Sequence, residues 1–264
     1  MDLVAPRILG IGTHHKTGTM WMRAVFRQLA EAIGVVLRQV HPATPPGLVP
    51  ERDRAMLVQW SSAFPDWLRT RPDARILHLV RDPRDVLLSG MRYHRDTEAA
   101  EEGFLHAARA DLGGFSYQAH LRALPDDAAR LRFEMGERHA ETVAEMLAWT
   151  PRVNTIEARY EDLVAPDGAG IFREHLRNLG LPEIEVAQGV RAFRDHSLRD
   201  GLARPEDRRA RVRSHVADGA ARQWETRFPP DIARDYAARH GAALVALGYE
   251  THPTRWVERL DHAA

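Results

Sequence analysis

The sequence alternates between short apolar runs and longer segments in which apolar residues recur every three or four positions. Short runs that end at polar or turn-forming residues are typical of buried strands. They lie at 7–13, 35–40, 55–60, 74–80 and 153–160. Helical spacing predicts helices at 19–34, 64–71, 172–180 and 229–248, and Gly241 is a candidate break in the last of these. A further helix is predicted to begin at Pro83, with Asp82 as its N-terminal cap.

Strands that are separated by helices predict parallel pairing, because each crossover returns the chain to the same edge of the sheet. The expected fold class is therefore α/β, a three-layer fold with a central parallel sheet, in a single domain over 1–264. Residues 95–150 are mostly helical and charged in pattern, which indicates a helical insertion over the sheet. The arginine-rich segment 203–224 has weak periodicity and is expected to be a mobile loop.

Composition narrows the class of protein. At 264 residues, with 44% hydrophobic and 28% charged residues, the chain is typical of a globular protein that buries a sizeable core. The formal net charge is zero, so neither nucleic acid nor an acidic membrane is indicated as a partner. The sequence lacks cysteine, which excludes disulfides, thiolate zinc sites and cysteine nucleophiles. Without a signal-peptide pattern or ~18 consecutive apolar residues, a cytoplasmic enzyme with no membrane span is expected.

The segment HHKTGTMW, residues 14–21, contains the only lysine of the chain, Lys16, whereas the other 36 of the 37 basic side chains are arginine. A loop between a parallel strand and a helix lies at the carboxyl edge of the sheet, where open α/β folds bind ligands. Gly18 lets the backbone approach an anion, Thr17 and Thr19 offer hydroxyl donors, and the helix start offers amides. Lys16 completes a cradle for a phosphate-like group, because a compact ammonium can follow one oxygen as charge develops on it.

Two other chemistries are disfavoured at this loop. A nucleoside triphosphatase loop has its lysine directly after its second glycine, whereas Lys16 lies two residues before Gly18. His14 and His15 do not make a metal pair, because adjacent side chains in an extended turn diverge. A metal site at this pair of histidines is therefore disfavoured.

The same segment resembles the 5′-phosphosulfate loop of sulfotransferases that use 3′-phosphoadenosine 5′-phosphosulfate (PAPS), written P-K-[ST]-G-[ST]-[ST]-W. The matching residues are Lys16, Thr17, Gly18, Thr19 and Trp21. His15 replaces the usual proline, and Met20, whose amide could still bind the anion, replaces the second hydroxyl residue. The resemblance implies a P-loop NTPase-like sulfotransferase topology, contact of Lys16 with the oxygen that bridges sulfate and phosphate, and a position of Trp21 near the adenine.

A second segment, HLVRDPRDVLLSGMRYH, resembles the 3′-phosphate motif of the same family, in which an arginine ends a strand and a serine follows on the next helix. Those residues are Arg81 and Ser89. The physical reasoning agrees, because a strand-end arginine and a serine about two turns into the adjoining helix can reach one anion. The alternative is a capped helix start in which Arg81 pairs with Asp85.

Two weaker matches extend the resemblance over nearly the whole chain. ARYEDL resembles a segment whose tyrosine lies near the adenine, which makes Tyr160 a candidate, although a core tyrosine is the alternative. RVRSHVADGAARQW resembles the late loop R-K-G-x-x-G-x-W over the 3′-phosphate, with Arg213 and Trp224 at its ends. Ser214 stands in the place of the lysine, and His215 replaces the first glycine. The middle of the chain is most similar to bacterial members of the family.

The resemblance implies a transferase that moves the sulfuryl group of PAPS to a hydroxyl or amine and releases adenosine 3′,5′-bisphosphate (PAP). Such a transfer depends on positioning and electrostatics and requires no metal. The acceptor is left open among small molecules, glycans and lipids, and a homodimer is left open as well. The alternatives are a nucleotide kinase or other phosphotransferase, and a non-catalytic nucleotide-binding module of the same fold.

The transfer also needs a general base to take the proton of the acceptor. Many members of the family carry a histidine for this purpose on the strand before the arginine strand, but residues 59–65 contain none. His94, at the end of the helix that carries Ser89, is the first candidate. His41 and then Glu31 follow as alternatives.

Overall fold

A computed structural model describes residues 6–49, 53–99, 102–197 and 220–261. The chain divides into two compact units, one from Met1–Arg81 with Ala148–Pro205 and one from Asp82–Leu147 with Glu206–Ala264. Arg213, Ser214, His215 and most of the segment 203–224 lie outside the described residues. In the part that is described, no helix is long and apolar enough to cross a membrane.

The first unit contains a five-stranded sheet in which every pair of neighbouring strands is parallel. Its strands are β1 (Ile8–Gly12), β2 (Val36–Gln39), β3 (Ala55–Gln59), β4 (Ala74–Val80) and β5 (Thr155–Arg159). Their order across the sheet is β2-β3-β1-β4-β5. The five predicted strands and the parallel α/β class are confirmed. β1 and β4 are apolar throughout most of their length because they lie inside the sheet, buried on both faces.

Among the described residues, the helices of this unit are α1 (Thr19–Ala32), α2 (Asp66–Arg69), α8 (Tyr160–Leu163), α9 (Gly168–Asn178) and α10 (Glu183–Asp195). On one face of the sheet, α1, α9 and α10 share a core that includes Phe26, Phe172 and Phe193. On the other face, Leu57 and Ile76 pack with residues of the α2 region. α10 has no counterpart among the predicted helices, because glycine at its centre and an exposed Ile184 obscure its apolar stripe.

The second unit is helical. Its helices are α3 (Pro83–Asp96), α4 (Gly103–His106), α5 (Tyr117–Ala123), α6 (Asp127–Gly136), α7 (Arg138–Ala148), α11 (Trp224–Arg227), α12 (Pro230–Ala246) and α13 (Glu258–Asp261). α3 begins as predicted, with the Asp82 carboxylate accepting a hydrogen bond from the Arg84 amide. The mostly helical character predicted for 95–150 is confirmed. A cluster that includes Met91, Tyr236 and Trp256 forms the core of this unit.

α12 continues through Gly241, so the break considered at that residue does not occur. The reason for a glycine here is a close approach between two pieces of backbone. A Cβ atom on Gly241 would lie 2.4 Å from the carbonyl oxygen of Pro253, which cannot move aside as the end of a side chain can. The glycine therefore serves packing and not a kink.

Substitution Gly241→Ala is expected to lower the free energy of unfolding by about 1 kcal/mol. Overpacking against a fixed carbonyl costs about 1–3 kcal/mol, which outweighs a helix-propensity gain of about 1 kcal/mol. Gly170→Ala, in α9, is the matched control because its Cβ would meet no atom within 4 Å. Thermal unfolding should show opposite shifts for the two variants. A Gly241→Ala protein as stable as the wild type would contradict the close approach.

Candidate anion-binding site

The loop from β1 to α1 adopts a conformation that only a few residue types accept. Gly18 has φ 109° and caps the start of α1, and Lys16 has φ 61°, also in the left-handed region. A Cβ atom on Gly18 would lie 3.2 Å from the Tyr160 ring and 3.3 Å from the Leu79 side chain. Glycine therefore provides both the backbone angle and the space. The amides of the first turn of α1, which have no partner within the helix, face the carboxyl edge of the sheet.

His14 is the residue around which the loop is organised. Its carbonyl oxygen accepts hydrogen bonds from the Thr17 amide (3.2 Å), the Thr17 hydroxyl (2.9 Å) and the Thr19 hydroxyl (2.9 Å). Its own amide donates to the Thr17 hydroxyl oxygen at 2.8 Å. The Thr17 hydroxyl, expected to face an anion, is thus buried and holds the loop together. The groups that remain for an anion are Lys16 and backbone amides.

Arg81 connects the end of β4 to this loop. Its Nη1 donates to the carbonyl oxygen of Lys16 at 3.1 Å, and its guanidinium carbon lies 4.2 Å from the centre of the Tyr160 ring. Tyr160, at the start of α8, in turn meets Trp21 edge-on with ring centres 5.9 Å apart. The structure therefore brings Lys16, Arg81, Tyr160 and Trp21 together, although they come from three separate stretches of the sequence.

A pair of buried histidines beneath the loop was not recognised from the sequence. The Nε2 atoms of His14 and His78 lie 2.8 Å apart, and Nδ1 of His78 lies 3.4 Å from a carboxylate oxygen of Glu157. The His78 ring is stacked on Trp149 at 4.2 Å. Because one of two facing nitrogens must donate and the other accept, the bond to Glu157 makes His78 the Nδ1–H tautomer and His14 the donor. Burial lowers the pKa of His78 to about 4.

The pairing of His14 with His78 follows from the register of the strands, and no sequence motif indicates it. Gly12 of β1 is the register partner of His78 on β4, and His78 is the register partner of Glu157 on β5. His14 follows two residues after Gly12, so all three polar side chains are placed in one row across the sheet. A histidine within the apolar run of β4 is the only trace of this row in the sequence.

Ser89 and His94 lie on α3 in the second unit. Ser89 is half-buried, and His94 is completely buried. Nδ1 of His94 lies 2.9 Å from a carboxylate oxygen of Glu134, which also accepts a hydrogen bond from the Tyr117 hydroxyl at 2.8 Å. The Phe104 ring meets His94 edge-on. His94 is therefore part of a buried polar cluster of this unit.

The other predicted residues have simpler surroundings. Met20 and His41 are exposed, the latter just beyond β2 with its amide bonded to the Thr44 hydroxyl, and Glu31 is exposed on α1. Trp224 is buried in the second unit, with the Arg84 guanidinium 3.5 Å above its ring.

Asp85 bonds to the backbone of a later segment of the second unit. Its carboxylate accepts hydrogen bonds from the amides of Arg222 (2.7 Å) and Trp224 (3.1 Å). It thereby anchors the start of α11 to α3 within the second unit.

Comparisons with known proteins were made by sequence and by structure. No protein-family model matches the sequence, and no curated protein matches it. The mouse sulfotransferase SULT7A1 complexed with PAP aligns with 100% of this chain and 91% of its own, at 16% identity and a TM-score of 0.54. Retinol dehydratase in complex with androsterone and inactive cofactor PAP aligns with 92% of this chain and 82% of its own, at 15% identity and a TM-score of 0.53. The chain has the fold of a PAPS-dependent sulfotransferase.

This sulfotransferase fold confirms the topology implied by the HHKTGTMW segment. The segment lies after β1, the central strand of the sheet, and Arg81 follows β4, which is its direct neighbour. Both motifs therefore end at one edge of the sheet, where a doubly wound fold binds its ligand.

The buried His78 is expected to make the stability of the protein depend on pH. In the folded protein its pKa is about 4, whereas a histidine of the unfolded chain titrates near 6.5. Between these values only the unfolded chain takes up the proton, so His78 contributes a loss of about 3 kcal/mol as the pH falls from 7 to 4. His78→Phe keeps a ring against Trp149 and removes this contribution, so its free energy of unfolding should fall less steeply over the same range.

Urea denaturation at pH 7 and pH 4 measures the difference. His41→Phe, the same substitution at an exposed histidine away from this buried pair, is the control. Equal pH slopes for His78→Phe and the wild type would show that His78 is not kept neutral.

Proposed function

We propose that the protein transfers the sulfuryl group of PAPS to a hydroxyl or amine acceptor and releases PAP. The observation that carries the proposal is the convergence of Lys16, Arg81, Tyr160 and Trp21 at the carboxyl edge of the sheet in a sulfotransferase fold. Two cations, two aromatic rings and a helix N-terminus suit a nucleotide with charged phosphate groups.

The local chemistry fits such a ligand. The indole N–H of Trp21 is buried and has no hydrogen-bond partner among the described residues. A buried donor without a partner is unfavourable, and a ring nitrogen of a bound base would satisfy it. The Tyr160 ring packs edge-on against Trp21 and lies next to the Arg81 guanidinium, so it holds both groups in place. From the resemblance to the 3′-phosphate motif we propose Arg81 and Ser89 as candidates for the 3′-phosphate, with Arg213, Ser214 and His215, which lie outside the described residues, as further candidates.

Bound PAPS supplies the sulfuryl group, whose bond to the 5′-phosphate oxygen breaks as the acceptor oxygen or nitrogen bonds to sulfur. The role of Lys16 is to neutralise the negative charge that develops on the leaving oxygen, which is electrostatic catalysis by a positioned cation. Loop amides, with that of Met20 among them, hold the oxygens of the transferred group. A flexible ammonium suits the first task, whereas the buried Arg81 suits static binding.

The acceptor proton goes to a general base. His94 and His41 are the proposed candidates, with Glu31 third. His41 is the more accessible of the two histidines, since it is exposed just beyond the end of β2, whereas His94 is fully buried next to Glu134. Proton transfer requires hydrogen-bond reach to the acceptor, so access favours His41.

Binding of PAP is the direct test of this function. Isothermal titration calorimetry should detect PAP and give a much weaker signal for ATP. Arg81→Lys, which keeps the charge but loses the guanidinium fork, should weaken PAP binding by about 1.5–3 kcal/mol. Arg75→Lys, on the same strand with its side chain bonded to local carbonyls, is the control and should bind as the wild type does. Failure to bind PAP at millimolar concentration would refute the proposed function.

Turnover tests the role of the single lysine. Lys16→Ala should lower kcat by ~10²–10³ with a much smaller effect on PAP affinity, because its contribution grows as charge develops in the transition state. Lys16→Arg should not restore the full rate, since the guanidinium is planar and larger. Product formation from PAPS across a panel of acceptors, followed by mass spectrometry, gives the rates. Wild-type turnover of Lys16→Arg would show that only the charge matters, and tight PAP binding without any turnover would indicate a non-catalytic module.

A further inference from the structure

A groove runs along α1 on the first unit, over the face of β2 and β3. Its volume is about 400 Å³, and its lining includes Arg23, Arg27, Glu31, Leu37, Val58 and Trp60. We call it the α1 groove. Its floor is apolar, its wall on α1 is charged, and none of these residues belongs to the candidate anion-binding site described above.

The floor of the groove is a part of the sheet that lacks the usual cover. Parallel sheets are normally covered by helices on both faces. Val35, Leu37 and Trp60 remain only half-buried at the margin of the core, because β2 is the edge strand of the sheet. Their exposed surface is available to a flat apolar ligand.

The wall of the groove carries two cations that are not neutralised. Arg23 and Arg27 lie one helical turn apart on one side of α1 and are exposed. Neither has an ion pair or side-chain hydrogen bond among the described residues, and Glu31, one turn further, has none either. By contrast, Arg54 in the same unit makes a two-pronged ion pair with Glu185. Two arginines against one carboxylate leave the groove with a net positive charge.

One end of the groove adjoins the loop that carries Lys16. Trp60 lies in the turn after β3, between Gln59 and Ser62, and both of these residues bond to Thr13 of the loop. The Gln59 carbonyl accepts a hydrogen bond from the Thr13 amide at 3.1 Å, and the Ser62 hydroxyl donates to the Thr13 carbonyl at 3.1 Å. At 1.5 Å per residue, Arg23 lies about 6 Å along α1 from the helix start at Thr19. A ligand in the groove can therefore extend to the phosphosulfate loop.

We propose that the α1 groove binds the acceptor, and that the acceptor is a planar hydroxylated ring compound with a carboxylate or similar anionic group. Arg27 and Arg23 would bind the anionic group through charge-assisted hydrogen bonds. Trp60 and the apolar floor would take the ring, and the hydroxyl would point toward the loop. The role of the groove in acceptor binding rests on the proposed sulfotransferase function, whereas its affinity for such an anion does not.

The binding test uses two matched compounds without PAPS. 3-(4-Hydroxyphenyl)propanoate carries the anionic group, and 4-propylphenol has nearly the same shape without it. Calorimetry should show the acid bound about tenfold more tightly or better, the factor expected for hydrogen bonds to a charged group. Arg23→Gln combined with Arg27→Gln should abolish that preference. Arg191→Gln, an exposed arginine on α10 whose side chain is 83% accessible, is the control and should keep it.

The turnover test asks whether the same groove serves the reaction. With PAPS present, the ratio of kcat/KM for the acid to that for 4-propylphenol should be about ten or more in the wild type and fall to near one in the double variant. Equal binding of the two compounds, no binding of either, or a preference that survives the double substitution would overturn the proposal. If the wild-type protein does not bind PAP in the separate titration, the proposed function is refuted. The titration of the acid without PAPS would still show whether the groove binds such an anion.

Discussion

The hydrogen bond between the buried imidazoles of His14 and His78 is the interaction on which the site depends most. It fixes the side chain of His14, the second loop residue, to the strand next to β1. The main chain of His14 then receives both threonine hydroxyls, and this network sets the path of the chain through the left-handed Lys16. Because the carbonyl of Lys16 is in turn held by Arg81, the position of one buried ring determines the geometry of the whole loop.

The two cations of the candidate site lie in different surroundings, which fits the different roles proposed for a lysine and an arginine. Arg81 is buried, lies over the Tyr160 ring and donates to a backbone carbonyl, so its planar group holds a fixed position. Lys16 is half-buried on the loop and has a flexible stem. A fixed guanidinium can bind a static phosphate, whereas an ammonium can adjust as charge moves onto an oxygen. The residue types thus suit the different tasks that the proposed function assigns to Lys16 and Arg81.

The sequence was sufficient for the elements that have local signals. The apolar run at 74–80 coincides with β4, and the Asp82-Pro83 pair marks the start of α3, because strand burial and helix capping are encoded in neighbouring residues. Local patterns could not predict the partnership of His14 with His78, which depends on the register of two strands. They also did not predict that the Thr17 hydroxyl is used within the loop. Gly241 misled for a similar reason, since its cause is a carbonyl distant in sequence.

The arginines of the chain fall into two groups, those that are paired with carboxylates and serve the structure and those that are available to ligands. Arg84 is the structural extreme, since it is buried, paired with Asp82 and Glu250, and packed on two tryptophan rings. In a chain with 37 basic and 37 acidic side chains, pairing of this kind is available to most arginines. Cations left without a carboxylate partner, such as Arg23 and Arg27, then create a positive potential that is local. A protein with no net charge can in this way recognise anions at chosen places without attracting polyanions over its whole surface.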